Sequence, residues 1–291
     1  MRKVLRFAFL MLIMLIPVST RGQYRYALLI GIGDYPEGSG WNKIHGNNDI
    51  QIIDKALKRQ GFSESNIVKL TDSAATKSNI LNSFNLLLER CNEGDIVYIH
   101  FSGHGQLVTD IDGDEEDGFD ESWIPYDACK TYQEGIYVGQ NHLVDDELNA
   151  LLMKVREHVG TKGKIIVIAD ACHSGSGSRA LRDEETFVRG TAESFVIPYK
   201  KSDIKNNVPR STEWLFVAAC KSYQSNYEYR TPEGEYYGIL SYIIAGDSKK
   251  FDSYKYNEVL KEWDEGISNY SRYPQNLDNE GQPCRNNSYL F

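Results

Sequence analysis

Apolar residues along this chain fall into two alternating kinds of segment. Short apolar runs rich in β-branched residues occur at 26–32, 66–70, 97–101, 165–169 and 214–219. Between them lie longer stretches, at 48–60, 77–91 and 145–159, with apolar residues at helical spacing. Ile52, Ile53, Ala56 and Leu57 mark the first of these, and Ile80, Phe84, Leu87 and Leu88 the second. Two further helical patterns follow at 239–245 and 256–268. Runs that are apolar at nearly every position suit strands buried on both faces. Their alternation with helices predicts βαβ units around a parallel sheet, and so an α/β protein. No internal repeat is evident. The stretch 175–211 is rich in Gly, Ser, Arg and Lys, and is expected to be a long loop.

Two of the runs stop abruptly in small residues. One ends in Ser102-Gly103-His104-Gly105, the other in Asp170-Ala171-Cys172-His173-Ser174-Gly175. Ligands of open α/β sheets bind beyond the carboxyl ends of the strands, so these ends would deliver an imidazole and a thiol to one crevice. The thiolate is the nucleophilic form of cysteine, and an adjacent imidazole can take the proton and return it to a leaving amine. Backbone N–H groups at Gly103 and Cys172 are placed to hold an oxyanion. Cys172 and His104 are therefore the candidate catalytic pair of a cysteine hydrolase. His173 should point to the opposite face and is expected to be structural. Asp170 precedes Cys172 by two positions, so both side chains face the same way. A carboxylate there suits a guanidinium, which binds it through a planar fork.

The chain has 291 residues, 41% of them hydrophobic, enough for one large domain. A net charge of −9 disfavours a general nucleic-acid binder. Cys91, Cys129, Cys172, Cys220 and Cys284 are scattered and odd in number, which is not the pattern of a disulfide scaffold. At the N-terminus, Arg2, Lys3 and Arg6 precede an apolar stretch at 7–18 that Pro17 interrupts. That stretch is short for a membrane span and matches a secretory signal, so residues 1–22 are expected to be removed. The mature domain, 23–291, would then be exported to the periplasm or medium without a stable membrane partner. Residues 212–291 form its smaller C-terminal part.

An acidic run at 110–121 offers hard oxygen ligands suited to Ca²⁺. It is not an EF-hand loop, because the sixth position is Glu115 or Asp117, depending on the start, where that loop needs Gly. A solvated acidic loop is the plainer alternative.

Taken in order, Ala-Leu-Leu-Ile-Gly-Ile at 27–32, Ser-Gly-His-Gly at 102–105 and Asp-Ala-Cys-His-Ser-Gly at 170–175 resemble the caspase-like cysteine peptidases. Within that group the chain is most similar to the metacaspases and their bacterial relatives, over roughly 24–240. The resemblance implies a three-layer sandwich with a mostly parallel six-stranded sheet flanked by helices. It implies cysteine endopeptidase activity on peptides with Arg or Lys before the scissile bond, and no cofactor for the chemistry itself. The basic side chain would sit in a pocket of Asp49, Ser102 and Asp170, although Asp49 reads equally well as a carboxylate favoured at a helix start. Asp170 replaces the Gln of the animal-caspase signature Gln-Ala-Cys-x-Gly, which argues against cleavage after Asp. The resemblance also implies calcium as an activator, bound through Asp120, Asp145 and Asp146; the fourth position of that set is Arg179, a departure. A basic-specific enzyme would find substrates in its own loop, with self-cleavage expected after Lys200 or Lys201. Two alternatives stand beside this reading. One is a caspase-fold hydrolase of non-basic, for instance legumain-like, specificity. The other is a silent, calcium-responsive binding module.

Overall fold

The structure is a computed structural model that describes residues 22–173, 186–198, 213–284 and 289–291. The expected signal segment therefore lies outside the described residues, apart from Gly22. In chain order the main elements are β1 (Arg25–Gly31), α1 (Gly46–Arg59), β2 (Ile67–Thr71), α2 (Lys77–Arg90) and β3 (Ile96–Ser102). Next come β4 (Gly105–Thr109), β5 (Phe119–Trp123), β6 (Leu143–Val144), α3 (Asp145–Val159) and β7 (Lys164–Asp170). The C-terminal part supplies β8 (Leu215–Ala218), β9 (Glu228–Arg230), β10 (Tyr236–Gly238), α4 (Ile239–Gly246), α5 (Tyr256–Tyr270) and β11 (Asp278–Glu280).

The central sheet has six strands in the order β11-β8-β7-β3-β1-β2. All pairs are parallel except β11 against β8. β1, β3 and β7 carry the apolar runs of the sequence, and in β3 and β7 every residue is buried. Side-chain alternation divides them between two layers. Leu29, Tyr98, Ile166 and Ile168 pack with α1, α4 and α5, whereas Leu28, Val97, Ile99 and Val167 pack with α2 and α3. Each such fully buried aliphatic side chain contributes about 1.5–3 kcal/mol. Thr76 caps α2, its hydroxyl accepting from the Asn79 N–H, an arrangement worth ~1 kcal/mol. The result is the expected α/β sandwich, helices on both faces of a mostly parallel six-stranded sheet.

The structure adds what the pattern missed. β4, β5 and β6 form a separate antiparallel sheet, so part of the acidic run is strand rather than loop. β9 and β10 form a hairpin leading into α4. Part of the long loop over 175–211 is described, and it carries no helix or named strand. Residues 186–198 are packed down, with Arg189 fully buried and Phe195 bridged to Val108 of β4. The cause is a charged pocket and an aromatic cluster that only the assembled fold presents. No helix among the described residues is long and apolar enough to cross a membrane.

Candidate active site

Parallel pairing brings the ends of β1, β3 and β7 level: Gly31 lies beside Ser102, and Ser102 beside Asp170. Two residues past these ends come His104 and Cys172. The two turns abut, since a Cβ at Gly105 would fall 2.6 Å from the Cys172 carbonyl oxygen. Both side chains are buried, at 2% and 1% exposure.

The His104 ring stacks on Trp41 at 4.8 Å and leans on Tyr35 at 5.2 Å. Its Nε2 donates to the Asn42 carbonyl at 2.9 Å, which leaves Nδ1 as the unprotonated nitrogen. Nδ1 is buried and has no hydrogen-bond partner among the described residues. Burial in this aromatic slot lowers the His104 pKa to about 4, so the ring is a neutral base at pH 7. The Cys172 thiol donates instead to the Gln224 carbonyl at 2.8 Å. Cys220 shares that carbonyl at 3.6 Å, and its thiol is pushed up first by hydrogen bonding with Cys172 and then by burial. His173 is engaged elsewhere: its Nδ1 lies 3.3 Å from Glu121. Burial opposes its charge, but the Glu121 carboxylate outweighs burial and raises its pKa.

Asp49, Ser102 and Asp170 converge, and the space between them is filled by Arg189. The guanidinium Nη1 donates to Asp49 Oδ2 at 2.7 Å and to Ser102 Oγ, and lies 3.6 Å from Asp170 Oδ1. A further carboxylate, Glu228, accepts from Nη2 at 2.9 Å and from Nε at 3.1 Å. Helix α4 closes the pocket with its N-terminus. Ser241 donates to Asp170 through its N–H at 2.8 Å and its hydroxyl at 2.6 Å, and the Gly238 N–H donates to Asp49 at 3.0 Å. Asn226 Nδ2 completes the shell of Asp170 at 2.8 Å. Any side chain at Gly238 would collide with Asp170 and Arg189.

Charges in the pocket are not all alike. Burial would raise Asp170, but Arg189, Asn226 and Ser241 outweigh it and hold the carboxyl below its usual range. Glu228 is lowered in the same way by Arg189 and His45. Asp49 is pushed up to about 7, first by burial, with Asp170 and Glu228 adding repulsion that Arg189 only partly offsets. Burial disfavours the Arg189 cation, but Asp49, Glu228 and Asp170 outweigh it, so the guanidinium stays charged.

The backbone around Arg189 is equally well placed. Its N–H donates to the Asn226 carbonyl at 3.0 Å, Glu228 N–H donates to the Phe187 carbonyl at 3.1 Å, and Val188 forms an antiparallel bridge with Tyr227. The Arg189 carbonyl accepts from the Cys172 N–H at 2.8 Å. The other expected oxyanion donor, Gly103 N–H, is turned to the Asp170 carbonyl at 3.4 Å.

A second acidic group lies around β5. Asp110, Asp112 and Asp114 bring carboxylate oxygens within 4.8 Å of one another. Asp120, Asp145 and Asp146 join them electrostatically. Burial, then Asp145 and Asp110, push Asp120 up to about 8, and burial, then Asp146, push Asp145 up to about 7. Asp112 Oδ1 is buried with no hydrogen-bond partner among the described residues. This all-oxygen, mutually repelling set suits a hard cation such as Ca²⁺. Arg179 and Lys200–Lys201 lie outside the described residues. Sequence reasoning gave no place in the pocket to Glu228, Asn226 or Ser241, and saw Arg189 only as a basic residue of the loop after Cys172. A basic residue in the stretch after Cys172 was the one signal that could have pointed to Arg189.

Comparison with known proteins places the chain. The metacaspase family, peptidase C14 domain, matches residues 25–179, and the chain belongs to this family. Metacaspase-1B of Aspergillus fumigatus is 36% identical over 215 residues, 67% of this chain and 49% of that protein. Metacaspase-1 of Eremothecium gossypii is 36% identical over 160 residues, 52% of this chain and 32% of that protein. The chain thus spans a third to a half of these relatives. A crystal structure of a Geobacter sulfurreducens protein matches 89% of this chain and 94% of its own, at TM-score 0.59 and 23% identity, and shares the fold.

Proposed function

We propose that this chain is an exported cysteine endopeptidase cleaving after Arg or Lys, with Cys172 as nucleophile and His104 as general base and acid. Asp49, Ser102 and Asp170, joined by Glu228, hold the basic side chain of the substrate. The observation that carries this reading is the seating of Arg189. One residue has its guanidinium among three carboxylates and its carbonyl on the Cys172 N–H.

The chemistry follows from the same atoms. The Cys172 thiol swings from the Gln224 carbonyl to His104 Nδ1 and loses its proton there. Sulfur attacks the carbonyl carbon following the basic residue's α-carbon. Negative charge on the carbonyl oxygen is met by Cys172 N–H and by Gly103 N–H once it turns from Asp170. Protonated Nδ1 gives its proton to the departing amine as the C–N bond breaks. A water then loses a proton to Nδ1, attacks the thioester and frees the acid. Calcium would be held by Asp120, Asp145 and Asp146 with Asp110 and Asp112, supplying charge that relieves their repulsion. Export rests on the basic N-terminus and the apolar stretch 7–18. Self-cleavage within 175–211 belongs to the same reading.

The test is a set of peptides differing only before the scissile bond, assayed with wild type and Cys172→Ala. Arg and Lys peptides should be cleaved, Asn and Asp peptides spared, and Cys172→Ala should be inert. Equal turnover of all four would sink the basic specificity, and no turnover at all would leave the binding-module alternative.

A further inference from the structure

Resting on that reading, we infer that His100 is a positioning residue for the basic specificity. A buried chain from Tyr98 through His100 and Ser241 holds the Asp170 carboxylate in the orientation that takes a substrate's cation. Packing alone asks for no polar ring at this position. His100 sits within β3, fully buried, with Leu29 of β1 and Ile168 of β7 as its partners in the sheet. A buried imidazole is costly unless its nitrogens are bonded, and here both are. Nδ1 lies 3.2 Å from the Tyr98 hydroxyl and Nε2 lies 3.0 Å from Ser241 Oγ. Ser241 in turn reaches Asp170 Oδ2 at 2.6 Å. None of the four residues is more than 1% exposed.

The direction of each bond follows from the far end of the chain. Asp170 is held ionised beside Arg189 and can only accept, so the Ser241 hydroxyl donates its one proton there. Ser241 Oγ then receives from His100 Nε2–H, which leaves Nδ1 to accept from the Tyr98 hydroxyl. Burial lowers the His100 pKa to about 4, so the ring is neutral at pH 7 and keeps this one tautomer.

At Asp170 the chain does more than satisfy a hydroxyl. The Ser241 hydroxyl and N–H both fall on Oδ2, at 2.6 and 2.8 Å, while Asn226 Nδ2 holds Oδ1 at 2.8 Å. Three donors on two oxygens fix the plane of the carboxylate and leave Oδ1 on the side of the guanidinium, 3.6 Å from Nη1. A period of two puts Tyr98, His100 and Ser102 on one face of β3, so the strand that ends in the pocket also carries its brace. A side chain serving the core alone could be aliphatic, as Leu29 and Ile168 beside it are.

The experiment measures steady-state KM and kcat on Arg and Lys peptide amides, the rate at which iodoacetamide alkylates Cys172, and Tm. It compares the full-length wild type with His100→Leu, His100→Gln, Ser241→Ala, Tyr98→Phe and the double variant His100→Leu/Ser241→Ala. His100→Leu should raise KM for Arg about tenfold, with kcat and the alkylation rate within about twofold of wild type, because an uncharged reagent does not use the pocket. His100→Gln, which keeps an N–H near the Nε2 position, should bring KM back to within about threefold of wild type. Ser241→Ala should match His100→Leu, and the double variant should be no worse than either alone, because the two residues act in series. Tyr98→Phe should raise KM by about threefold at most. A lowered Tm in His100→Leu with KM unmoved shows a role in the core alone and overturns the inference, as does a double variant in which the two effects multiply. Slowed alkylation of Cys172 also overturns it, because His100 would then act on the catalytic pair. If His100→Leu does not fold, an unmoved KM in both Ser241→Ala and Tyr98→Phe overturns the inference. A wild type that spares Arg and Lys peptides overturns the specificity reading itself, and the inference falls with it.

Discussion

Two groups of carboxylates in this molecule behave in opposite ways. Around Arg189, Asp170 and Glu228 are held below their usual range despite near-complete burial, because a guanidinium and directed N–H and O–H donors face them. Around β5, Asp120 and Asp145 are pushed up to about 8 and 7, first by burial and then by neighbouring carboxylates, with no cation of the Arg189 kind to offset either. Burial alone therefore does not set the ionisation of an acidic site; the countercharge does. Asp49 sits between the two cases, since one guanidinium serves three carboxylates and leaves this one at about 7.

The largest effect should come from removing charge where it is countered. Asp170→Asn is expected to lower kcat/KM for Arg peptides by roughly two to three orders of magnitude, the scale of several kcal/mol for a buried cation losing its partner. Asp120→Asn, assayed with calcium in excess, should leave that value within a fewfold; comparable losses in both variants would erase the distinction. Next, Glu228→Gln should cost about tenfold on Arg peptides and less on Lys peptides, because Glu228 engages Nε and Nη2 of the fork and a lysine has only its single ammonium.

Calcium should discriminate the regions by pH. A carboxyl raised in the folded state binds its proton there more tightly than in the unfolded chain, so the β5 cluster loses stability as pH rises from about 4 toward 8. The sign is reversed for Asp170 and Glu228, whose contribution is present above the unfolded carboxyl pKa and lost as pH falls below about 4. Calcium at a hundredfold its Kd should then stabilise by about 2.7 kcal/mol, with a larger rise in Tm at pH 8 than at pH 5, where protons compete. A Tm gain that does not depend on pH would separate calcium from this cluster. The smallest effect is Asp112→Asn, expected to raise the calcium-free Tm slightly while blunting the response to calcium.

What the sequence made legible follows the same physics. The buried runs of β3 and β7 had to be strands, and a period of two put Asp170 and Cys172 on one side; Ser102 was carried by the resemblance alone. Asp120, Asp145 and Asp146 were also named in advance and do lie together. β11 was illegible because Asp278–Glu280 is polar and half-exposed, joined to the sheet by backbone pairing alone. Glu228 and Asn226 were missed because their short, aperiodic segments carry no apolar signal, Ser241 because the helical pattern at 239–245 does not say that its first turn meets Asp170, and Arg189 looked like one more loop cation. Its role exists only once four segments of chain enclose it.

Leu290 and Phe291 lie deep in the protein: both are buried, and Phe291 packs edge-on to Phe62, Tyr98 and Phe251. A chain severed within 175–211 would thus be two polypeptides sharing one core, moving as a single particle in gel filtration but separating in detergent. Its refolding would change from a first-order to a second-order process, slower the more dilute the solution.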